Sequence, residues 1–276
     1  SGKNNYQFYR RALSDEQNER FLLGSSLRTA LKQQQFELYY QPIYRMGGAR
    51  EVLGAEALIR WNHPQRGLVS PDEFIPLAEE TGLIVPMGIW VMETACREAV
   101  KWQSTGKLLF VSVNLSPRQL GDSEVTEHIK HALDHCGLAP ELLELELTET
   151  VLADKSAKAV EILVKIHQLG VRLVLDDFGT GYSSLSYLKH FPIAKLKIDR
   201  SFVNDLPHDP GDKAICNAVI ALGHGLQVTV LAEGVETIEQ ADILREMNCQ
   251  QVQGYLYSHP LPAKAFEDIL RGGAAN

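Results

Sequence analysis

The sequence predicts an α/β fold: a (β/α)8 barrel of the TIM type whose first strand runs antiparallel to the others. Three observations predict it. Eight short β-rich runs are spread along the chain, helix-period stretches separate most of them, and polar side chains recur at the C-terminal ends of the runs, where such barrels keep their chemistry. An open doubly wound sheet is the second architecture compatible with this alternation. The chain has 276 residues, 45% hydrophobic and 22% charged, an ordinary globular composition and long enough for one barrel.

Residues 1–30 are polar and read as a helical lead-in from an upstream domain, with Leu23, Leu27 and Leu31 on one helix face. The barrel is placed at 31–271 and a short tail at 272–276. The strand candidates are Phe36–Tyr44, Val52–Leu58, Leu108–Val113, Leu142–Leu147, Arg172–Leu175, Ala194–Ile198, Gln227–Ala232 and Gln250–Tyr255. The connection Arg45–Glu51 contains Gly47-Gly48 and is too short for a crossover helix, so the first two strands are expected to pair antiparallel. Ser70-Pro71-Asp72-Glu73 reads as a capping-box helix start, and Ser116-Pro117-Arg118-Gln119 repeats that chemistry after another strand. Two later helices each show a core-facing stripe: Ala159, Ile162, Leu163 and Ile166 in one, Ile215, Ala218, Val219 and Leu222 in the other.

Charge narrows the function. The net charge of −8 argues against binding a DNA or RNA duplex or a membrane surface, both of which call for a basic face. No apolar stretch approaches the roughly 18–20 residues that span a bilayer, and no signal peptide is visible. Cys96, Cys136, Cys216 and Cys249 lie far apart and read as reduced thiols in the cytoplasm.

The informative residues stand at strand ends. They are Glu56, Asn114, Glu146, Asp176-Asp177, Lys197 with Asp199, Glu233 and Gln253, on seven consecutive strands. One acidic residue there is commonly a cap or a solvated rim residue; seven strands in a row are not explained that way. Five carboxylates converging on one mouth oppose folding unless positive charge intervenes. Carboxylate and amide oxygens suit Mg²⁺ or Mn²⁺, and adjacent aspartates allow one to bridge two ions. Two such ions about 3.5–4 Å apart typically serve in-line attack at phosphorus, so phosphodiester hydrolysis is the preferred chemistry, with Arg60 helping to screen an anionic substrate. Lys195 shares a strand face with Lys197, and spacing does not choose between them.

Other signals are discounted. His128, His131 and His135, with Cys136 beside them, could be read as a Zn²⁺ site but fit a solvated helix face better. Gly179-Thr180-Gly181 lacks the Gly-Lys-Ser/Thr of a phosphate loop, and Ser183-Ser184 lacks a nucleophile-elbow context. Trp61, Trp90 and Trp102 read as packing residues, Trp61 with an option on the substrate border.

Taken together, these motifs resemble the EAL-domain family of bacterial cyclic di-GMP phosphodiesterases. Glu56-Ala57-Leu58-Ile59-Arg60 resembles the family signature. Val113–Ser116, Glu146–Glu149, Asp176–Gly181, Lys197–Asp199, Ala232–Glu236 and Gln253–Tyr255 follow in order over about residues 30–270. The resemblance implies that Glu56, Asn114, Glu146 and Asp176 hold a first metal and that Asp176, Asp177 and Glu233 serve a second. It implies that Lys197 orients the attacking water, with Glu233 a candidate general base. Gln41, Leu58, Arg60, Asp199, Glu236, Gln253 and Tyr255 would lie on the substrate. Segment 177–184 would be a mobile loop coupling dimerisation to the site, anchored by Glu149 and given freedom by Gly179 and Gly181. The family further implies a homodimer. The segment around Tyr6–Tyr9 resembles the end of a GGDEF cyclase domain, and the full-length protein could be membrane-anchored. The expected reaction opens cyclic di-GMP to linear pGpG. The rival readings are a catalytically silent cyclic di-GMP receptor and a metal-assisted barrel enzyme of other chemistry, such as enolate formation.

Overall fold

The structure is a computed structural model that describes residues 20, 22–47, 50–149, 151, 157–179 and 191–272. Tyr6–Tyr9, Gly181, Ser183-Ser184, most of the lead-in, the tail beyond 272 and residues 180–184 of the expected loop lie outside the described residues.

The strands are β1 (Phe36–Arg45), β2 (Val52–His63), β3 (Gly67–Val69), β4 (Phe110–Asn114), β5 (Leu143–Thr148), β6 (Arg172–Phe178), β7 (Ile193–Ile198), β8 (Thr229–Ala232), β9 (Gln251–Val252) and β10 (Leu261–Pro262). Hydrogen bonding runs β1-β9-β8-β7-β6-β5-β4-β2 and returns to β1, which closes an eight-strand barrel. From β2 through β4 to β9 every neighbour is parallel, and β1 runs antiparallel to β9. The short Arg45–Glu51 turn, closed by Arg45 N–H donating to Glu51 O at 3.0 Å, accounts for the reversed first strand. β3 and β10 were not expected; each is a two- or three-residue edge piece, on β2 and β1 respectively, too short to carry a period.

Two compact units share the chain. Of the described residues, one comprises those up to Glu37 with Ile59–Met87, and the other Leu38–Leu58 with those from Gly88. In the smaller unit, helical residues 22–30 form α1, which buries Leu23, Leu27 and Ala30. Phe36, Trp61 and Phe74 make a ring cluster with centroids 5.6–5.8 Å apart, and Trp61 Nε1 donates to Gln35 Oε1 at 3.0 Å. Helix α2 (Pro71–Thr81) starts at Ser70, but Ser70 makes no side-chain cap bond. The expected capping box is absent: the Glu73 N–H donates to Ser70 O at 3.0 Å, and the Glu73 carboxylate pairs with Arg66 at 3.0 Å.

The larger unit carries the barrel interior. Alternation along each strand points every second side chain inward, and Ile43, Phe110 and Leu231 fill the lower interior with Leu53 against them. Helix α3 (Ile84–Trp102) comes next in the chain, α4 (Pro117–Leu120) opens on a complete capping box between Ser116 and Gln119, and α5 (Val125–Cys136) follows. Helix α6 (Ala157–Gln168) buries Ala159, Ile162, Leu163 and Ile166 as expected. Two more helices are α7 (Arg200–Asn204) and α8 (Pro210–Leu226). The buried stripe of α8 is Cys216, Val219, Ile220 and Gly223, one position round from the expected one, and Ile215 is 36% exposed. Close approach decides this: a Cβ on Gly223 would meet Val230 Cγ2 at 2.2 Å, so the helix turns its small residues to the sheet. His131 and His135 are exposed, and their rings stack on α5 at 5.8 Å. All four cysteines are free. Among the described residues, no helix is long and apolar enough to cross a membrane.

Candidate active site

The barrel brings one ammonium and several carboxylates together at the C-terminal ends of its strands. Inward alternation and parallel register set Glu56 of β2, Asn114 of β4, Glu146 of β5, Asp176 of β6 and Lys197 of β7 around one point. Lys197 is 1% exposed and its Nζ lies 2.6 Å from Glu146 Oε2, 2.6 Å from Glu233 Oε1, 3.2 Å from Asp176 Oδ1 and 3.6 Å from Glu56 Oε2. Burial alone would lower its pKa, but these carboxylates outweigh burial and hold it well above the ordinary lysine range.

Amides and one hydroxyl complete the cluster. Asn114 Nδ2 donates to Glu56 Oε1 at 2.9 Å, and Gln253 Nε2 donates to Glu56 Oε2 at 2.8 Å and to Gln41 Oε1 at 3.0 Å. Gln41 Nε2 in turn donates to Ser258 O at 3.3 Å. Ser112 Oγ donates to Glu146 Oε1 at 2.6 Å. Gln253 lies one residue past β9 rather than within it, and Asp199 caps α7 through Ser201 rather than ending the strand. Asp176 and Asp177 lie inside β6, which runs on to Phe178.

Burial and neighbours drive the acids apart. Burial pushes Glu56 up, but Lys197, Gln253 and Asn114 outweigh it and hold it below the usual range. Burial and then the charge of Glu56 lift Glu146 well above its usual range. Burial, against Lys197 and with Asp176 and Glu56, pushes Glu233 up to about 8. Asp177 is pushed up to about 6 by burial, Asp176 and Asp199, and it adopts the left-handed φ of +54° uncommon outside glycine.

Oxygens of Asp176, Asp177 and Glu233 lie within 4.8 Å of one another, close enough to share a cation. Five carboxylates against one ammonium leave a formal charge of −4, which two divalent cations would cancel. Gln253 Oε1 is buried without a hydrogen-bond partner, a further oxygen acceptor at this cluster. An all-oxygen set of carboxylates and amides fits Mg²⁺ or Mn²⁺.

Leu58 is half-buried on β2, and Arg60, in the smaller unit, donates to Ile59 O at 2.9 Å. Glu236 is exposed, its backbone N–H taken by Gln240 Oε1. Tyr255 is 54% exposed and stacks on His259 with centroids 4.0 Å apart. Glu149 is buried and its Oε2 accepts from Gly179 N–H at 3.2 Å. Ser112 and Ser258 in the network, and His259 against Tyr255, were not anticipated. For Ser112 the signal was there, since it stands two residues before Asn114 on the same strand face.

A family model described as EAL domain matches residues 25–260. The chain is 44% identical over 271 residues to the cyclic di-GMP phosphodiesterase NbdA of Pseudomonas aeruginosa, covering 98% of this chain and 34% of that protein. It is 43% identical over 266 residues to the bifunctional diguanylate cyclase/cyclic di-GMP phosphodiesterase MucR of the same organism, covering 95% of this chain and 38% of that protein. The chain thus spans a little over a third of the length of these curated relatives. A solved structure titled PaMucR phosphodiesterase, c-di-GMP complex, superposes with a TM-score of 0.85 at 43% identity, covering 89% of this chain and 99% of the other.

Proposed function

The chain belongs to the EAL-domain family, and from that premise we propose that it hydrolyses one phosphodiester bond of cyclic di-GMP to give linear pGpG. The observation that carries this reading is the ring of carboxylates around Lys197, with Asp176, Asp177 and Glu233 close enough to share a cation. The names of the NbdA and MucR relatives and the cyclic di-GMP complex of the structural neighbour support the substrate.

In this reading Glu56, Asn114, Glu146 and Asp176 would hold one divalent cation, and Asp176, Asp177 and Glu233 would hold a second, Mg²⁺ or Mn²⁺. When bound, two such ions supply an activated water and stabilise the leaving oxygen. Water adds to one phosphorus, the P–O3′ bond breaks, and the ring opens to the linear dinucleotide. Lys197 orients the water and opposes the negative charge that develops as it attacks. Glu233, which shares its Oε1 with Lys197, is the candidate general base. Gln41, Leu58, Arg60, Asp199, Glu236, Gln253 and Tyr255 would bind the substrate, with Gln41, Leu58 and Arg60 at its phosphate and sugar regions. Glu149 anchors the loop that begins at Asp177. The family reading adds a homodimer and a cytoplasmic location, and the bifunctional name of MucR supports a GGDEF cyclase module upstream.

The test is turnover of cyclic di-GMP with Mg²⁺, with Mn²⁺ and with EDTA, followed by chromatography. Metal-dependent appearance of pGpG is the expected result. Saturable nucleotide binding with no product under any metal would overturn hydrolysis in favour of a receptor.

A further inference from the structure

Below the Lys197 cluster lies a second buried ion pair that the proposed reaction does not use. Lys195 Nζ lies 2.5 Å from Glu144 Oε2, with side chains 4% and 2% exposed. The same ammonium sits 3.9 Å from the centroid of the Phe110 ring, a favourable cation–π distance. Phe110 has room because its neighbour is Gly54, where a Cβ would meet the ring at 2.5 Å.

The two levels repeat one pattern. Gly54, Phe110, Glu144 and Lys195 each precede by two residues a member of the upper level, namely Glu56, Ser112, Glu146 and Lys197. Both lysine–glutamate contacts cross the interior between β7 and β5, Lys195 to Glu144 and Lys197 to Glu146. Two residues along a strand are about 7 Å, so each ion is within electrostatic reach of the other level, and Lys195 senses both Glu146 and Lys197.

We propose that Lys195 is a positioning residue: by closing Glu144 into its own ion pair one layer down, it leaves Lys197 and Glu146 aimed at the mouth, where Glu146 can take a divalent cation. Without Lys195, the bare Glu144 carboxylate draws the Lys197 ammonium downward, because a buried charge left unpaired is costly and Lys197 stands two residues above Lys195 on the same strand face. Without the Glu144 charge, Lys195 turns to Glu146 and competes with the metal. Removing both charges together leaves the upper level undisturbed. The inference rests on the metal-dependent reading of this site.

The experiment is a double-mutant cycle read as Mn²⁺ affinity by titration calorimetry, with folding checked by circular dichroism. Wild type, Lys195→Met, Glu144→Gln and the double variant are compared. Each single variant is expected to weaken Mn²⁺ binding by about 10–100-fold, the usual effect of losing a group that orients a ligand. The double variant is expected to return to within about threefold of wild type by the same reasoning. Steady-state turnover should show the same recovery in kcat. Mn²⁺ affinity unchanged in folded single variants, or a double variant no better than the singles, would overturn the proposal. If Lys195→Met does not fold, Glu144→Gln, which retains the Lys195 ammonium, decides with the double variant. Failure of the wild type itself to bind Mn²⁺ would instead overturn the metal-dependent reading.

Discussion

Glu56 and Glu146 face the same ammonium yet shift in opposite directions. Both are buried, so burial lifts both. Glu56 recovers its charge through Lys197 and through N–H donors from Gln253 and Asn114, whereas Glu146 lies within reach of Glu56, Asp176 and Glu233 as well as Lys197. Glu56 therefore stands ionised and already oriented, and Glu56→Ala should abolish turnover and weaken Mn²⁺ binding by at least about tenfold; full activity in that variant would sink the metal assignment. The acids also set a pH response in metal-free protein. Glu233 near 8 and Asp177 near 6 bind protons in the folded state that the unfolded chain gives up near pH 4. The folded state then holds the extra protons, so stability is present at low pH and is lost as pH rises through about 6 to 8. Melting in EDTA should accordingly fall by several degrees between about pH 5.5 and pH 8, and added Mn²⁺ should reverse the fall; a flat profile would contradict the raised values.

At the scale of elements, short caps carry the polar segments that follow the strands. Helix α9 (Ile238–Glu246) opens on a capping box in which Gln240 Oε1 accepts from Glu236 and Thr237 N–H, while its Nε2 donates to Asn204 O. Gln240 is buried, so Gln240→Ala removes a buried side chain that partners three backbone groups and should destabilise the fold by about 2 kcal/mol, measurable by denaturant titration. Glu149 holds the first turn after β6 by the Gly179 N–H. That turn passes close to Phe202, which would stand 3.1 Å from a Cβ at Gly179, and the φ of +104° there also favours glycine. Glu149→Ala should reduce turnover several-fold and weaken metal binding through the displaced Asp177, with Glu149→Gln, which keeps the acceptor, closer to wild type. Full activity and full Mn²⁺ affinity in Glu149→Ala would refute the anchoring role. The stripe on α8 shows the limit of periodicity: Cys216 and Gly223 are weak hydrophobic markers, so apolar spacing favoured Ile215 and Leu222, while backbone proximity to Val230 selected the small residues.

For the molecule as a whole, the barrel gathers charge that the chain separates widely. Glu56 and Gln253 stand 197 positions apart and share a hydrogen bond. The eight barrel strands were legible because β-rich runs alternate with helical stripes, and the reversed β1 because a turn of a few residues cannot cross over. Strand ends were less legible. Val252 is the last residue of β9 although the expected run reads on through Gln253 and Gly254 to Tyr255, and there Gly254 approaches the Val235 backbone so closely that a Cβ would meet its carbonyl oxygen at 2.2 Å.

The sequence by itself determined which side chains would stand at the strand ends and in what order, since strand alternation puts every second residue on one face whatever surrounds it. It determined the charge excess that calls for cations. It did not separate Lys195 from Lys197, which share a face. Tertiary structure decided that, because closing the sheet turns distance along a strand into depth in the barrel. At the upper depth Lys197 meets four carboxylates, and one layer down Lys195 meets Glu144 and an aromatic ring.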